Sequence, residues 1–236
     1  MYTVWTITRR ELNAYFVSPI AYVVAALFLA LHSYFFSLIL FFSQEASLRY
    51  LFGSMTSVML FIAPVLAMRL LSEEYRSGTI ELLLTSPVRD WELVVGKWLA
   101  SVLLWLVMLA LTLIYPYFLR LYGSPDWGPI WTGYLGLFLL GSALLALGTL
   151  ASAATENQIV AAVFGAVLTV GLWVLRGAGD LLGGRVAQVI NYIALADHAV
   201  DFTRGVVDTR DVLYFLSVIV VALFLATRVV EMRRMR

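Results

Sequence analysis

The residues of this chain that could carry chemistry are few and poorly suited to catalysis. Its 236 residues contain no cysteine, so disulfides, thiol nucleophiles and thiolate metal sites are excluded. The two histidines, His32 and His198, are too few to build a histidine metal site. The only lysine is Lys97, but Trp91 and Trp98 stand where a phosphate-binding loop needs a glycine and a serine or threonine. No metal or cofactor is therefore expected in this chain.

Two further patterns could suggest chemistry. Asp197, His198 and Asp201 are close enough in sequence to suggest a metal site, but without more ligands we expect a solvated helix face. An intramembrane serine protease would need a serine in a tight turn beside a histidine. His32 is the only histidine in an apolar segment, and GSALLALG at Gly141 lacks that turn. We expect His32 to hydrogen-bond within a helix bundle, although an intramembrane enzyme remains an alternative.

The most informative charges lie in LLSEEYRSGTIELLLTSPVRDW, residues 70–91, between two long apolar segments. Gly78 interrupts the preceding helix, Thr79 can cap a new one, and Pro87 ends it. Glutamates keep this loop in water, while its three consecutive leucines need an apolar surface. A groove on a soluble protein satisfies both, which predicts a short docking helix. The residues predicted to contact the partner are Glu73, Glu74, Gly78, Thr79, Glu81, Leu82, Leu83 and Leu84.

Outside this loop the chain is suited to lipid. It is 62% hydrophobic with a mean hydropathy of +0.90, whereas soluble domains are about 45–50% apolar. A spanning helix needs about 20 apolar residues, and the first apolar run is too long for a cleaved signal peptide. The fold predicted is an all-α membrane protein with six transmembrane helices in one domain, residues 1–236. The predicted spans are Ile20–Phe42, Phe52–Leu71, Trp98–Leu119, Trp131–Ala153, Ile159–Leu175 and Val212–Val230.

The distribution of positive charge predicts the orientation in the membrane. Ten of the sixteen basic residues flank the two termini and the loop of residues 72–90. By the positive-inside rule, both termini, this loop and the turn Ala154–Gln158 face the cytoplasm, so a multi-pass protein of the cytoplasmic (inner) membrane is expected. The net charge is only +1 and no basic stripe is present, which excludes nucleic acid as an expected partner.

Two segments outside the spans have amphipathic patterns. Residues 1–19 place Trp5, Leu12 and Phe16 on one stripe, which predicts an interfacial helix in the headgroup plane. Residues 176–211 carry apolar residues at helical spacing, which predicts one or two amphipathic helices on the extracytoplasmic side. In the fourth and fifth spans, small residues four apart, such as Gly148 and Ser152, predict close helix packing.

The loop and its flanks resemble a known family. RLLSEEYRSGTIELLLTSPVRDWELVVGKWLAS is similar to the first cytoplasmic loop of ABC-2 type transporter permeases. ELNAYFVSPIAYV and DHAVDFTRGVVDTRDVLYFLS are similar to the gliding-motility-associated branch of that family, so the resemblance spans nearly the whole chain. The family's loop pattern falls on Glu74, Gly78, Thr79, Glu81, Leu83, Pro87, Gly96 and Lys97.

The resemblance implies a permease subunit that is not itself an enzyme. ATP and Mg would be bound by a separate ABC ATPase subunit, into whose cleft a cytoplasmic coupling helix between spans two and three would dock. A second permease chain, as a homodimer or with a paralogue, and an auxiliary extracytoplasmic protein are further expected partners. The expected activity is export or translocation of a lipid-linked or polymeric substrate. A non-transporting membrane anchor or scaffold is the other alternative.

Overall fold

A computed structural model describes residues 2–43, 46–78, 88–182 and 184–234, and every regular element in these ranges is an α-helix. The apolar runs form helices because a backbone in lipid must satisfy its own hydrogen bonds. In chain order the helices are α1 (Tyr2–Val17), α2 (Pro19–Ser43), α3 (Arg49–Ala67), α4 (Arg69–Ser77), α5 (Asp90–Leu111), α6 (Ile114–Tyr122), α7 (Trp127–Ala154), α8 (Gln158–Leu182), α9 (Gly184–Ile193), α10 (Leu195–Thr203) and α11 (Thr209–Arg234).

Six helical stretches of the described chain are long and apolar enough to cross a bilayer, which confirms the predicted number of spans. They are α2, α3 with α4, α5 with α6, α7, α8 and α11. Every predicted span lies inside one of them, but the helices are longer than the apolar segments. The third stretch begins at Asp90 instead of Trp98, and the fifth has 25 residues although its apolar segment is the shortest.

Helix α7 is the axis of the bundle, with α3, α5, α8, α10 and α11 packed around it. Of its apolar window 83% is buried inside the protein, against 17% for α2 and for α8. Glycines permit this close packing: a Cβ at Gly141 would lie 2.2 Å from the indole nitrogen of Trp105, and one at Gly148 would lie 2.6 Å from the Ala67 Cβ. Small residues thus set helix packing within the chain, as their spacing predicts.

Two prolines inside the apolar stretches each free a backbone carbonyl, and a neighbouring helix supplies the missing donor. Pro64 has no N–H for the Leu60 carbonyl, which instead accepts the Thr169 hydroxyl of α8 at 3.0 Å. Pro116 leaves the Thr112 carbonyl to accept the Tyr134 hydroxyl of α7 at 2.9 Å. Both prolines are therefore tolerated because a cross-helix hydroxyl replaces the lost bond.

The segment between α8 and α11 folds into the two short helices α9 and α10, which cover one end of the bundle. The Thr132 hydroxyl of α7 donates to the Phe202 carbonyl at 2.7 Å. The ring of Phe202 is also packed against Gly136, so tightly that a Cβ there would lie 2.5 Å from the Phe202 Cβ. These contacts fix α10 against the axis helix.

Candidate functional site

The opposite end of the bundle collects most of the basic residues and is called here the charged end. It is formed by α1, α4, the start of α5, the α7–α8 turn and the end of α11. Arg233 lies 3.2 Å from Glu156 and donates to the Ala154 carbonyl at 2.8 Å, while Arg234 lies 3.2 Å from Asp90. These bonds confirm that the C-terminal helix, the turn of residues 154–158 and the flank of the 72–90 loop share one end.

A buried ion-pair network, the Lys97 cluster, lies at the centre of the charged end. It consists of Arg10 and Glu11 on α1, Glu74 on α4 and Lys97 on α5. The Lys97 ammonium lies 3.0 Å from Glu11 and 2.9 Å from Glu74, and Arg10 lies 3.1 Å from the same two carboxylates. The Lys97 side chain is 2% exposed. A buried ammonium is tolerated only when it is paired in this way, so the cluster binds three helices to one another.

Close backbone contact between α1 and α5 places Lys97 in the cluster. The Thr8 hydroxyl donates to the Gly96 carbonyl at 3.0 Å, and a Cβ at Gly96 would lie 2.9 Å from Ile7. The Gly96–Lys97 pair of the sequence motif therefore has a structural explanation. Because glycine has no side chain, α1 packs close enough to α5 for Lys97 to contact Glu11.

The electrostatics of Glu11 show how strongly the cluster is coupled. Burial by itself would raise the pKa of this carboxyl. Lys97 and then Arg10 outweigh burial through charge and hydrogen bonding, so the pKa of Glu11 lies below its usual value. Glu11 is therefore ionised at neutral pH and supplies a fixed negative charge to the cluster.

Helix α4 joins the second span at a break, the Met68 junction, that is bridged by Ser152 of α7. The Ser152 hydroxyl donates to the Met68 carbonyl at 2.8 Å and accepts the backbone N–H groups of Leu71 and Ser72, each at 3.0 Å. The first turn of a helix leaves N–H groups without partners, and here one hydroxyl takes two of them. Met68 itself keeps helical dihedrals, so α4 continues the second span and is held to the axis helix through Ser152.

Helix α1 also contacts this junction. The Tyr15 hydroxyl donates to the Leu66 carbonyl at 2.9 Å, and Arg69 donates to the Ser18 hydroxyl at 3.3 Å. Burial raises the pKa of Tyr15, so its hydroxyl keeps its proton as a donor at neutral pH. Trp5 and Phe16 of the predicted stripe are 59% and 43% exposed, whereas Ile7 and Tyr15 form a second, buried face that packs on the bundle.

The predicted partner contacts divide at the end of α4. Gly78 ends this helix with a left-handed conformation, φ 70°, as expected of the residue that interrupts it. Glu73 is 54% exposed beside Arg69, at 3.5 Å, whereas Glu74 is 12% exposed and turned into the Lys97 cluster. The remaining predicted contacts lie outside the described residues. They are Thr79, Glu81, Leu82, Leu83 and Leu84.

The chain enters and leaves this undescribed segment through well-defined helices. Helix α5 begins at Asp90, where the Glu92 carboxylate accepts the backbone N–H of Arg89 at 3.2 Å. Glu74 lies four residues before Gly78, and Lys97 lies about two turns into α5. The Lys97 cluster therefore holds together the two stems from which residues 79–87 emerge.

The two histidines are structural in different ways. His32 is fully buried, and its Nδ1 lies 2.6 Å from the Phe28 carbonyl of its own helix. The expectation of a solvated face at His198 is wrong. Its ring is buried between Asp211, at 2.6 Å, and the Tyr192 carbonyl, at 3.0 Å.

The neighbours of His198 also indicate a structural role for its ring. Its ring stacks on Tyr214 at 3.8 Å between centroids, and Asp197 is 3.0 Å from Arg176 instead of facing a shared ion. No group of three metal-binding side chains occurs within the described ranges.

Sequence reasoning misses Arg10, Glu11 and Ser152 as parts of the site. The amphipathic pattern assigns Arg10 and Glu11 to a helix in the headgroup plane, and the spacing of small residues assigns Ser152 to close packing alone. One signal for the cluster is present in the sequence. A single lysine, seven residues after a helix-starting aspartate, needs an acidic partner once its helix is buried.

Comparison with known proteins identifies the family of the chain. A family model described as ABC-2 family transporter protein matches residues 8–233. The matched region includes the Lys97 cluster, the Met68 junction and all six apolar stretches. A search of curated proteins finds no match. The chain therefore belongs to the ABC-2 family of transporter proteins and is a multi-pass transmembrane permease component of an ABC transporter.

Proposed function

We propose that this permease couples ATP hydrolysis in a separate ABC ATPase subunit to movement of its own helices, through residues 79–87. The observation that carries the proposal is the clamping of both stems of that segment in one buried ion-pair network. A force applied to residues 79–87 reaches α4 and α5 together. Ser152 also holds the start of α4 to α7 at the Met68 junction, so the same force reaches the axis helix.

The contacts with the ATPase would be of two kinds. Leu82, Leu83 and Leu84 supply an apolar face for a groove on the ATPase, while Glu73 and Glu81 supply charge at the rim. Glu74 acts from within the permease, since its carboxylate is already held by Lys97 and Arg10. ATP and Mg are bound by the partner, and ATP supplies the free-energy difference between the two conformations.

The remaining parts of the proposal follow from membrane physics and from family resemblance. Both termini and the charged end face the cytoplasm, in keeping with their basic residues. Two permease chains form the path, as a homodimer or with a paralogue, and an auxiliary extracytoplasmic protein contacts the opposite end. The apolar interiors of the spans favour export of a lipid-linked or polymeric substrate over an ion. Membership of the gliding-motility-associated branch remains part of this proposal.

Co-purification of the ATPase with the permease tests this proposal. The chain is purified in mild detergent with a candidate phosphate-binding-loop ABC ATPase, as wild type and with Leu82, Leu83 and Leu84 all changed to serine. We expect the wild type to retain the ATPase and the triple variant to lose it while remaining folded, because the serines remove the apolar docking face.

The matched control changes apolar residues at the opposite end. Val206→Ser with Val207→Ser alters side chains that are 55% and 47% exposed between α10 and α11, and it should leave ATPase binding intact. If the triple variant retains the ATPase as the control does, residues 79–87 do not dock. If wild type retains no ATPase, the membrane-anchor function is favoured instead.

A further inference from the structure

A groove of about 460 Å³ opens on the surface of the bundle, at the end away from the Lys97 cluster. It lies between α3, α8 and α10. Its walls combine apolar side chains with two hydroxyls. The lining includes Gly53, Thr56, Trp173, Ala199, Val200 and Thr203.

The groove runs from the end of a helix into the depth of the membrane. Its mouth is at Arg49, the first residue of α3, and Thr56 lies seven residues further along the same helix. That separation is about 10 Å of helix, compared with about 15 Å for one half of a bilayer's hydrocarbon core. The groove therefore begins near the headgroups and covers much of one leaflet.

Gly53 keeps the middle of the groove open. A Cβ at this position would meet no atom of the described chain within 4 Å. Half-buried Trp173 forms the facing wall, and Tyr50 stands at the mouth with 66% of its surface exposed. Aromatic side chains at this depth are typical of the membrane interface.

The charge at the mouth is positive, and no carboxylate of the described residues is paired with it. The side chain of Arg49 is exposed and makes no ion pair or hydrogen bond within residues 2–43, 46–78, 88–182 and 184–234. Two other arginines at this end are paired, Arg176 with Asp197 at 3.0 Å and Arg204 with Asp201 at 3.7 Å. Among the described residues no carboxylate lines the groove, so an anionic group is the complementary ligand.

We propose that this groove holds one anionic phospholipid from the leaflet opposite the charged end. The phosphate binds the Arg49 guanidinium, whose planar donors suit a phosphate. An acyl chain lies along Gly53 and Thr56 against Trp173. This inference is independent of the proposed ATPase coupling, since it uses neither residues 79–87 nor the Lys97 cluster.

Lipid retention by the full-length chain tests the proposal. The chain is extracted from nanodiscs that contain equal phosphatidylglycerol and phosphatidylcholine, and bound lipid is counted by native mass spectrometry. Arg49→Gln removes the charge, and Gly53→Phe adds bulk to the groove at a position where a Cβ meets no atom within 4 Å. We expect wild type to retain phosphatidylglycerol selectively, Arg49→Gln to bind it about fivefold more weakly, and Gly53→Phe to lose it.

Matched controls exist for both changes. Arg120 on α6 is exposed at the same end without an ion pair in the described residues, so Arg120→Gln removes an equivalent charge elsewhere. A Cβ at Gly171 on α8 would likewise meet no atom within 4 Å, so Gly171→Phe adds the same bulk outside the groove. Both controls should retain lipid as wild type does, and all variants should elute as folded protein.

Three results would overturn the proposal. The first is that Arg49→Gln behaves as Arg120→Gln does. The second is that Gly53→Phe behaves as Gly171→Phe does, which would show that no acyl chain occupies the groove. The third is that free glycerol phosphate displaces phosphatidylglycerol at equal concentration, since the ligand would then be a phosphate group without its lipid.

Discussion

At the scale of single residues, Lys97 determines how the charged end is held together. Its ammonium lies between two carboxylates, and Arg10 bridges the same pair. Replacing one partner of such a buried set leaves the others with uncompensated charge, which costs more than the lost bond alone. Lys97, Glu11 and Glu74 are therefore sensitive positions, whereas Arg10 is 55% exposed and is less so. None of the four lies in the segment proposed to touch the ATPase.

The adjacent residues Glu73 and Glu74 test whether the Lys97 cluster stabilises the fold. Glu74→Gln should lower the stability of the detergent-solubilised chain by about 2 kcal/mol, because it removes a charged hydrogen bond from Lys97. Glu73→Gln should change it by less than about 0.5 kcal/mol, because Glu73 is 54% exposed in a surface pair. Thermal unfolding of the two variants measures the difference. Equal melting temperatures would mean that Glu74 is not a structural member of the cluster.

At the scale of elements, α4 is held to three neighbouring helices and ends at a glycine. Ser152 connects its first turn to α7, Glu74 connects its middle to α1 and α5, and Gly78 ends it. The Leu60 and Leu66 carbonyls near the same junction are satisfied by Thr169 and Tyr15 from two other helices. The junction is therefore an interrupted helix whose hydrogen bonds are completed by its neighbours.

Two serines of α7 test the role of the junction. Ser152→Ala leaves the Leu71 and Ser72 N–H groups without their acceptor, which should cost about 1–3 kcal/mol. If the proposed coupling holds, it should also change the ATPase rate of the complex. Ser142→Ala is the control, because that buried hydroxyl donates only to Phe138 of its own helix, at 2.7 Å. Melting temperature and ATPase rate of the reconstituted complex measure both effects. A Ser142 effect as large as that of Ser152 would point to general packing instead.

The elements differ in how well the sequence predicts them. Long apolar runs identify all six spans, because lipid leaves a chain few ways to satisfy its backbone. The role of Gly78 is predictable because glycine is the residue that most readily adopts the left-handed conformation that ends a helix. Ser152 is not, because a small residue that packs and one that bridges a broken helix have the same pattern in sequence. The error at His198 has a similar cause: Asp211 and Tyr214, which bury it, are more than ten residues away on another helix.

At the scale of the whole molecule, the two ends have opposite characters. One end carries the Lys97 cluster and the basic C-terminal turn of α11. The other carries α9, α10 and the buried His198–Asp211 pair. The positive-inside rule predicts that the first end faces the cytoplasm.

The absence of cysteine makes this orientation easy to measure. Ser77→Cys, at the end of α4, and Val206→Cys, between α10 and α11, each introduce one exposed thiol at opposite ends. A membrane-impermeant maleimide should label Val206→Cys in intact cells and Ser77→Cys only after the membrane is opened. The reverse pattern would place the termini outside and would remove residues 79–87 from reach of a cytoplasmic ATPase.

The break at Met68 sets the scale of motion that this permease could convert. Ten residues separate Met68 from Gly78, which corresponds to a lever of about 15 Å. A rotation of about 10° about Met68 would displace the Gly78 end of this lever by about 2–3 Å. A displacement of that size is comparable to one side-chain radius, so a small closing movement of the partner would be enough to repack the buried face of α4 against α7.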